Sequence, residues 1–230
     1  MYAKYFKRVF DVVLSAAAII VLSPLLIILT AVGTFAMHGN PFFVQPRPGK
    51  KDKFGQEKIF KLIKFRTMSN KKDSNGNLLP DDVRLNGYGR FLRNTSLDEL
   101  PELFNILKGD MSIIGPRPQL VRDMVFMTEE QRKRHDIRPG LSGLAQINGR
   151  NAISWENKLN YDLQYISNGI TLKEDIKIIF LTIFKAFIKQ ENISQEGMDT
   201  AEDLGDYLLR IGAVDEEVYK KRMIISKELK

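Results

Sequence analysis

Apolar positions crowd toward the N-terminus. From Val12 to Met37 the chain runs for 26 residues without a charge, and only Ser15, Ser23, Pro24, Thr30, Gly33 and Thr34 interrupt the apolar series. A run of this length predicts a membrane-seeking helix. Pro24 lacks the donor for an i−4 bond, so the helix is expected to break there, with the Ser23 hydroxyl serving a backbone group that the proline frees. The halves, Val12–Leu22 and Leu25–Met37, are each too short to cross a hydrocarbon core of roughly 30 Å at about 1.5 Å per residue. Lys4, Lys7 and Arg8 precede the run, and Arg47, Lys50, Lys51 and Lys53 follow it. Positive flanks belong on the cytoplasmic side, and a single crossing cannot put both there. The pattern therefore predicts a Ser-Pro-broken re-entrant helix over residues 1–40 rather than a spanning one. A cleaved signal peptide does not fit: the run is too long and no small-x-small site precedes polar sequence.

A second apolar segment covers 173–189. Lys173, Lys177, Lys185 and Lys189 share one helical face, with Ile179, Phe180, Ile183, Phe184, Phe187 and Ile188 over much of the rest. It is too short to span. Two readings stay open, a core helix of the soluble body or an amphipathic helix lying in the headgroup layer. Between these segments, 41–45 and 57–68 have strand character, and Lys64 and Arg66 fall on one strand face. Residues 85–93, 98–107, 128–136 and 154–167 read as helices, and Ser69–Asp82 as a polar loop. The expected class is α+β, mainly helical with short strands, with amphipathic interfacial helices. Three regions are expected: 1–40, a body at 41–190 and a C-terminal extension at 191–230.

Charge sharpens that division. The chain carries 35 Lys and Arg against 28 Asp and Glu, net +7. Residues 191–230 are net −4, which leaves +11 for the rest. A basic body calls for an anionic partner: nucleic acid, a membrane surface or a phosphorylated substrate. Zero cysteines exclude a disulfide scaffold, a thiolate nucleophile and Cys-ligated metals, and two histidines make a multi-His metal site improbable. His38 and His135 read as structural. No GxGxxG, P-loop or GxSxG motif is present, so any bound phosphate must be held by arginines, lysines and a metal.

The candidate chemistry centres on Ser96-Leu97-Asp98-Glu99-Leu100-Pro101. Ser96 and Glu99 have the spacing of a capping box, a purely structural role. The same residues also suit catalysis. A carboxylate at a helix start stays ionised and can attack phosphorus, and Asp98 and Glu99 can hold Mg²⁺, a hard ion that takes carboxylate and phosphate oxygens. Lys64, Arg66, Arg84, Arg93, Arg117, Arg138 and Arg150 are candidate phosphate ligands. Arg117 stands out, because a proline on each side fixes its backbone. Asp162 and Asp175 are further candidate carboxylates, with capping or surface charge as the alternative.

The motifs Lys7-Arg8-Val9-Phe10-Asp11, Ser23-Pro24, Gln45-x-Arg47-x-Gly49, Lys64-Phe65-Arg66-Thr67-Met68, Ser96–Pro101, Gly109-Asp110-Met111-Ser112, Gly115-Pro116-Arg117-Pro118, Arg138-Pro139-Gly140 and Gly149-Arg150 occur in this order. In that order the chain resembles the monotopic phosphoglycosyl transferases, bacterial sugar transferases of the short single-core form. The resemblance implies transfer of a sugar-1-phosphate from a UDP-sugar to polyprenyl (undecaprenyl) phosphate, with UMP as the second product. It implies Asp98 as nucleophile, Glu99 on Mg²⁺, and Lys64 and Arg117 in the site, with Asp162 and Asp175 as later acidic positions. It also implies residence at the cytoplasmic face of the bacterial inner membrane, among inner-leaflet lipid, and no nucleic-acid partner. The extension 191–230 has no counterpart in that pattern. Its Leu204, Tyr207, Leu208 and Ile211 repeat at helical spacing, which predicts a helix docked on the body, on a second copy or on a pathway partner. Two competing classes are a basic membrane-anchored binding module and an inactive scaffold; neither would release UMP.

Overall fold

The computed structural model describes residues 1–149, 153–185 and 202–229. A wide helical turn over Tyr2–Phe6 leads into α1, Lys7–Ala36. Strands β1 (Phe42–Lys51) and β2 (Glu57–Phe65) form an antiparallel hairpin in which Phe42 faces Phe65 and Arg47 faces Phe60. Helices α2 (Asp81–Arg84), α3 (Gly87–Thr95) and α4 (Glu102–Lys108) follow, with a 3-10 turn over Leu97–Glu99 between the last two. Strand β3 (Ser112–Ile114) pairs in parallel with β4 (Gly140–Ser142), and α5 (Val121–Met124) and α6 (Glu129–Arg132) lie in the crossover. Helices α7 (Leu144–Ile147), α8 (Trp155–Ser167) and α9 (Leu172–Phe184) follow, and α10 (Leu204–Arg210) and α11 (Glu216–Glu228) form the extension. The class is α+β, mainly helical with short strands, as the pattern predicts.

Helix α1 runs through Pro24 as one element, where the sequence predicts a break. The reason is local and tertiary. The Ser23 hydroxyl donates to the Ile20 carbonyl at 2.8 Å, the acceptor that the missing Pro24 N–H leaves open. Packing holds both sides of the proline. Ala18, Ile19 and Leu22 lie on Phe60, Leu62 and Leu103, while Leu26 and Leu29 lie on Phe65 and Leu92. Polar contacts then tie down both ends. Lys7 Nζ donates to Asp175 at 2.6 Å, and Asp11 accepts from the Ser112 hydroxyl and the Ile113 N–H at 3.0 and 2.9 Å. Near the far end, Tyr88 donates to the Leu29 carbonyl at 2.9 Å and Asn86 to the Ala36 carbonyl at 3.0 Å. The whole helix therefore lies against one body. Its other face is apolar and open: Ile20, Val21, Ile27 and Phe35 are each at least 68% exposed.

Helix α9 packs one face into the core and leaves the other open. Ile178 is fully buried, packed with Ile114, Ile147 and Tyr165, while Ile176, Phe180 and Ile183 are exposed beside Lys173 and Lys177. Lys189 lies outside the described residues. The extension docks on the body: Leu204 is buried with Phe126, Met127, Trp155 and Leu159, and Tyr207 and Leu208 pack against the same cluster. Ile211 is left exposed.

Candidate active site

Two local devices bring the charged residues together. Asn105 on α4 bonds across to β2, accepting from the Ile63 N–H at 3.0 Å and donating to the Lys61 carbonyl at 2.8 Å. That lock sets Lys64, the next inward residue of the strand, against α4 and the turn before it. Lys64 Nζ lies 3.0 Å from both Glu99 and Glu102. The second device orients Arg117. A Cβ on Gly140 would lie 2.1 Å from the Gly115 nitrogen, so only glycine lets the two strands close up beneath the Pro116–Pro118 turn. Two further arginines then hold the turn's carbonyls. Arg134 donates to Arg117 O at 2.6 Å and Arg47 to Pro118 O at 3.0 Å. With its backbone fixed, Arg117 pairs with Glu99 Oε1. Asp98, Glu99, Lys64, Arg93 and Arg117 all line one cleft of ≈ 500 Å³.

The environment drives the two adjacent carboxylates apart. Burial, and then the charge of Glu99, push the Asp98 carboxyl up to about 6. Against the same burial, Arg117 and Lys64 hold Glu99 well below the usual carboxylate range. Burial raises Glu102 to about 6 despite Lys64. Burial also opposes the Lys64 ammonium, but Glu99 and Glu102 more than offset it and hold its pKa above its usual value. A fixed charge pair beside a titratable carboxylate is the pattern of a site that handles an anion at one end and uses a carboxylate at the other.

A family model described as bacterial sugar transferase matches residues 2–189. The chain belongs to the bacterial sugar transferase family. It is 47% identical over 198 residues to an uncharacterised sugar transferase, EpsL, of Bacillus subtilis, covering 85% of this chain and 94% of that protein. It is 38% identical over 195 residues to the UDP-glucose:undecaprenyl-phosphate glucose-1-phosphate transferase of Klebsiella pneumoniae, covering 80% of this chain but 41% of that protein. It is 35% identical over 201 residues to the undecaprenyl-phosphate galactose phosphotransferase of Salmonella typhimurium, covering 78% and 40%. This sugar transferase thus spans about two fifths of the Klebsiella pneumoniae and Salmonella typhimurium relatives.

The cleft of this sugar transferase gathers some of the residues singled out in the sequence and leaves out others. Asp98, Glu99, Lys64, Arg93, Arg117 and Asp162 line it. Asp162 is buried, with Arg134 donating to its Oδ2 at 2.6 and 3.0 Å. The others lie elsewhere. Arg66 leaves the ladder after β2 ends at Phe65. Arg84 donates to the Ser69 carbonyl and Asp81, and Arg138 to the Gly109 carbonyl. Asp175 is taken by Lys7, Tyr2 and Tyr165 at the start of α1. Arg150 lies outside the described residues. The Ser96–Glu99 capping box does not form: Ser96 has φ 56°, left-handed rather than the extended form an N-cap needs, and its side chain makes no cap bond. Nor does a helix dipole lower Asp98, which sits in a three-residue turn where burial dominates. His135 is buried against Glu57, away from the cleft.

Sequence reading did not single out Arg47, Arg134, Gln146, Glu202 or Asp203 as site residues. Arg134 sits in Gln131-Arg132-Lys133-Arg134-His135, which reads as a solvated charged helix. A metal would find hard oxygen donors in Asp98 and Glu99. Among the described residues no group of three or more acidic or histidine side chains is arranged to hold an ion. That donor set fits Mg²⁺, which binds through one or two carboxylates plus substrate phosphate and water.

Proposed function

We propose that this sugar transferase moves a sugar-1-phosphate from a UDP-sugar to polyprenyl (undecaprenyl) phosphate, giving a polyprenyl-diphospho-sugar and UMP. The observation that carries the reading is the placement of Asp98 beside the Glu99–Lys64–Arg117 cluster in one cleft. The Asp98 carboxylate attacks the β-phosphorus of the donor. A carboxylate oxygen–phosphorus bond forms, the bond from that phosphorus to the bridging oxygen breaks, and UMP leaves with the electron pair. A polyprenyl phosphate oxygen then attacks the same phosphorus and releases Asp98 as a carboxylate. The covalent intermediate lets a soluble and a lipid substrate use one cleft in turn. Lys64 and Arg117 supply fixed positive charge for the phosphoryl oxygens. Mg²⁺ held by Glu99 and Asp98 would act as a Lewis acid on the diphosphate.

The same reading places the protein on the cytoplasmic face of the inner membrane, with α1 lying along that face. Support comes from α1 itself. Its two halves and both its ends contact the same body, which supports a helix held to one side of the bilayer. Its open apolar face and that of α9 supply membrane-facing surface.

The test is UMP release from UDP-glucose, UDP-galactose and UDP-N-acetylglucosamine with Mg²⁺, with and without undecaprenyl phosphate. Lipid-dependent UMP from at least one donor, abolished by Asp98→Asn or by chelation, is the expected result. UMP release that survives Asp98→Asn would remove Asp98 as the nucleophile.

A further inference from the structure

The cleft is also lined by residues that the phosphoryl-transfer chemistry does not use. Gln146 is 8% exposed and Asp162 2% exposed, and both line the cleft that holds Asp98. Neither Gln146 Oε1 nor Gln146 Nε2 has a hydrogen-bond partner, and Asp162 Oδ1 has none although Oδ2 is held by Arg134. Three buried polar atoms without partners, on two side chains that line the cleft, carry a desolvation cost that a ligand's polar groups would relieve. The extension adds two carboxylates, each already ion-paired: Glu202 with Arg210 at 2.8 Å and Asp203 with Arg122 at 2.7 Å. Glu202 and Asp203 line the same cleft. They are fixed there because the Trp155 indole donates to the Glu202 carbonyl at 3.0 Å and the Leu204 N–H to Asp123 at 2.9 Å.

We propose that the part of the cleft lined by Gln146 and Asp162 and by Glu202 and Asp203 of the extension binds the sugar ring of the donor and selects it. The inference rests on the transferase reading for the identity of the donor. The chemistry of the lining favours a sugar over a base. Carboxylate and amide oxygens accept, and a hexose offers several hydroxyl donors, whereas uracil offers one N–H donor. The Gln146 amide adds one donor–acceptor pair, which a ring hydroxyl or an acetamido group can match. Lys64, Arg93 and Arg117 line the cleft with Asp98 and suit the diphosphate, while Arg47 and Lys158 line it as well, and Arg47 helps to balance Asp203 of the extension. Glu202 and Asp203 also lie beyond the family match, which ends at 189. Relatives that share the phosphoryl-transfer residues can thus differ in the sugar they take.

The test is calorimetric binding to the full chain of UDP-glucose, UDP-galactose, UDP-N-acetylglucosamine and, as reference, UDP. Wild type is compared with Gln146→Leu and Glu202→Gln. Gln146 makes no protein hydrogen bond, so its loss leaves the fold intact. The preferred UDP-sugar should lose about tenfold in affinity in Gln146→Leu, the worth of one or two hydrogen bonds. The spread among the three sugars should narrow, while UDP stays within about twofold. Glu202→Gln should narrow the spread without weakening UDP. Equal losses for UDP and UDP-sugars would assign the amide to the nucleotide and overturn the inference, as would unchanged binding in both variants. The expected binding pattern in a protein that releases no UMP would support this subsite and overturn the transferase reading alone.

Discussion

The Ser23 hydroxyl bonds the Ile20 carbonyl, and Pro24 is the reason that carbonyl needs it. On a membrane-facing helix no water would replace the lost bond. Ser23→Ala should therefore destabilise the protein by about 1–3 kcal/mol, the cost of a stranded polar group. Pro24→Ala restores the N–H, so the double variant Ser23→Ala, Pro24→Ala should recover most of that loss. Thermal unfolding of the four proteins in one detergent checks it. Additive effects would show that the two residues are not coupled.

Burial and the charge of Glu99 raise the Asp98 carboxyl to about 6. As nucleophile it must be ionised, so the rate should rise as pH increases through about 6 and level off above it. Stability runs the other way. The folded carboxyl is raised above its unfolded value, so ionising it costs folding energy once pH exceeds the folded pKa, and that cost vanishes below the unfolded value of about 3.9. Asp98→Asn should thus be inactive yet more stable than wild type at pH 7.5, with the gain shrinking as pH falls toward 4. A rate that stays flat between pH 5 and 8 would count against this assignment.

Lys64 serves two carboxylates at once, and one of them, Glu102, is almost fully buried. Lys64→Met should destabilise by about 3 kcal/mol, because it leaves buried carboxylate charge uncompensated. Adding Glu102→Gln should restore much of the stability and none of the activity, since only Glu99 faces the chemistry. Paired unfolding curves and UMP assays separate the two effects. Recovery of both would place Lys64 in a structural role alone.

Much of this site was legible in the chain because its signals are local. Ser23–Pro24, Asp98–Glu99, and an arginine between two prolines each carry their chemistry within a few residues. What stayed hidden depends on tertiary approach. Arg134 reads as one charge in a solvated run, yet it is buried between Asp162 and the Arg117 carbonyl. Arg47 and Gln146 give no local sign of facing a cleft. Glu202 and Asp203 reach it only because Leu204 seats in the cluster of Phe126 and Trp155. Ser96 misleads for the opposite reason: its spacing to Glu99 is right for a cap, but α3 ends there in a left-handed turn, and Glu99 is drawn to Lys64 and Arg117 instead.

Asp175 was expected among the site's carboxylates, and it instead secures the membrane helix. It accepts from Lys7 at 2.6 Å, Tyr2 at 2.7 Å and Tyr165 at 2.5 Å, joining the start of α1 to α8 and α9. Asp175→Asn keeps the shape but leaves the Lys7 ammonium, itself nearly buried, without a counter-charge. Removing one partner of a buried ion pair costs about 3–5 kcal/mol. Lys7→Met in the same chain removes the stranded charge, so the double variant should be more stable than Asp175→Asn alone. Proteolysis near residues 2–8 reports the local effect: cleavage should speed up in Asp175→Asn and slow again in the double variant. For the fraction that stays folded, kcat/KM for UMP release should remain near wild type, because Asp175 does not line the cleft. A loss of kcat/KM with wild-type protease resistance would return Asp175 to the catalytic machinery.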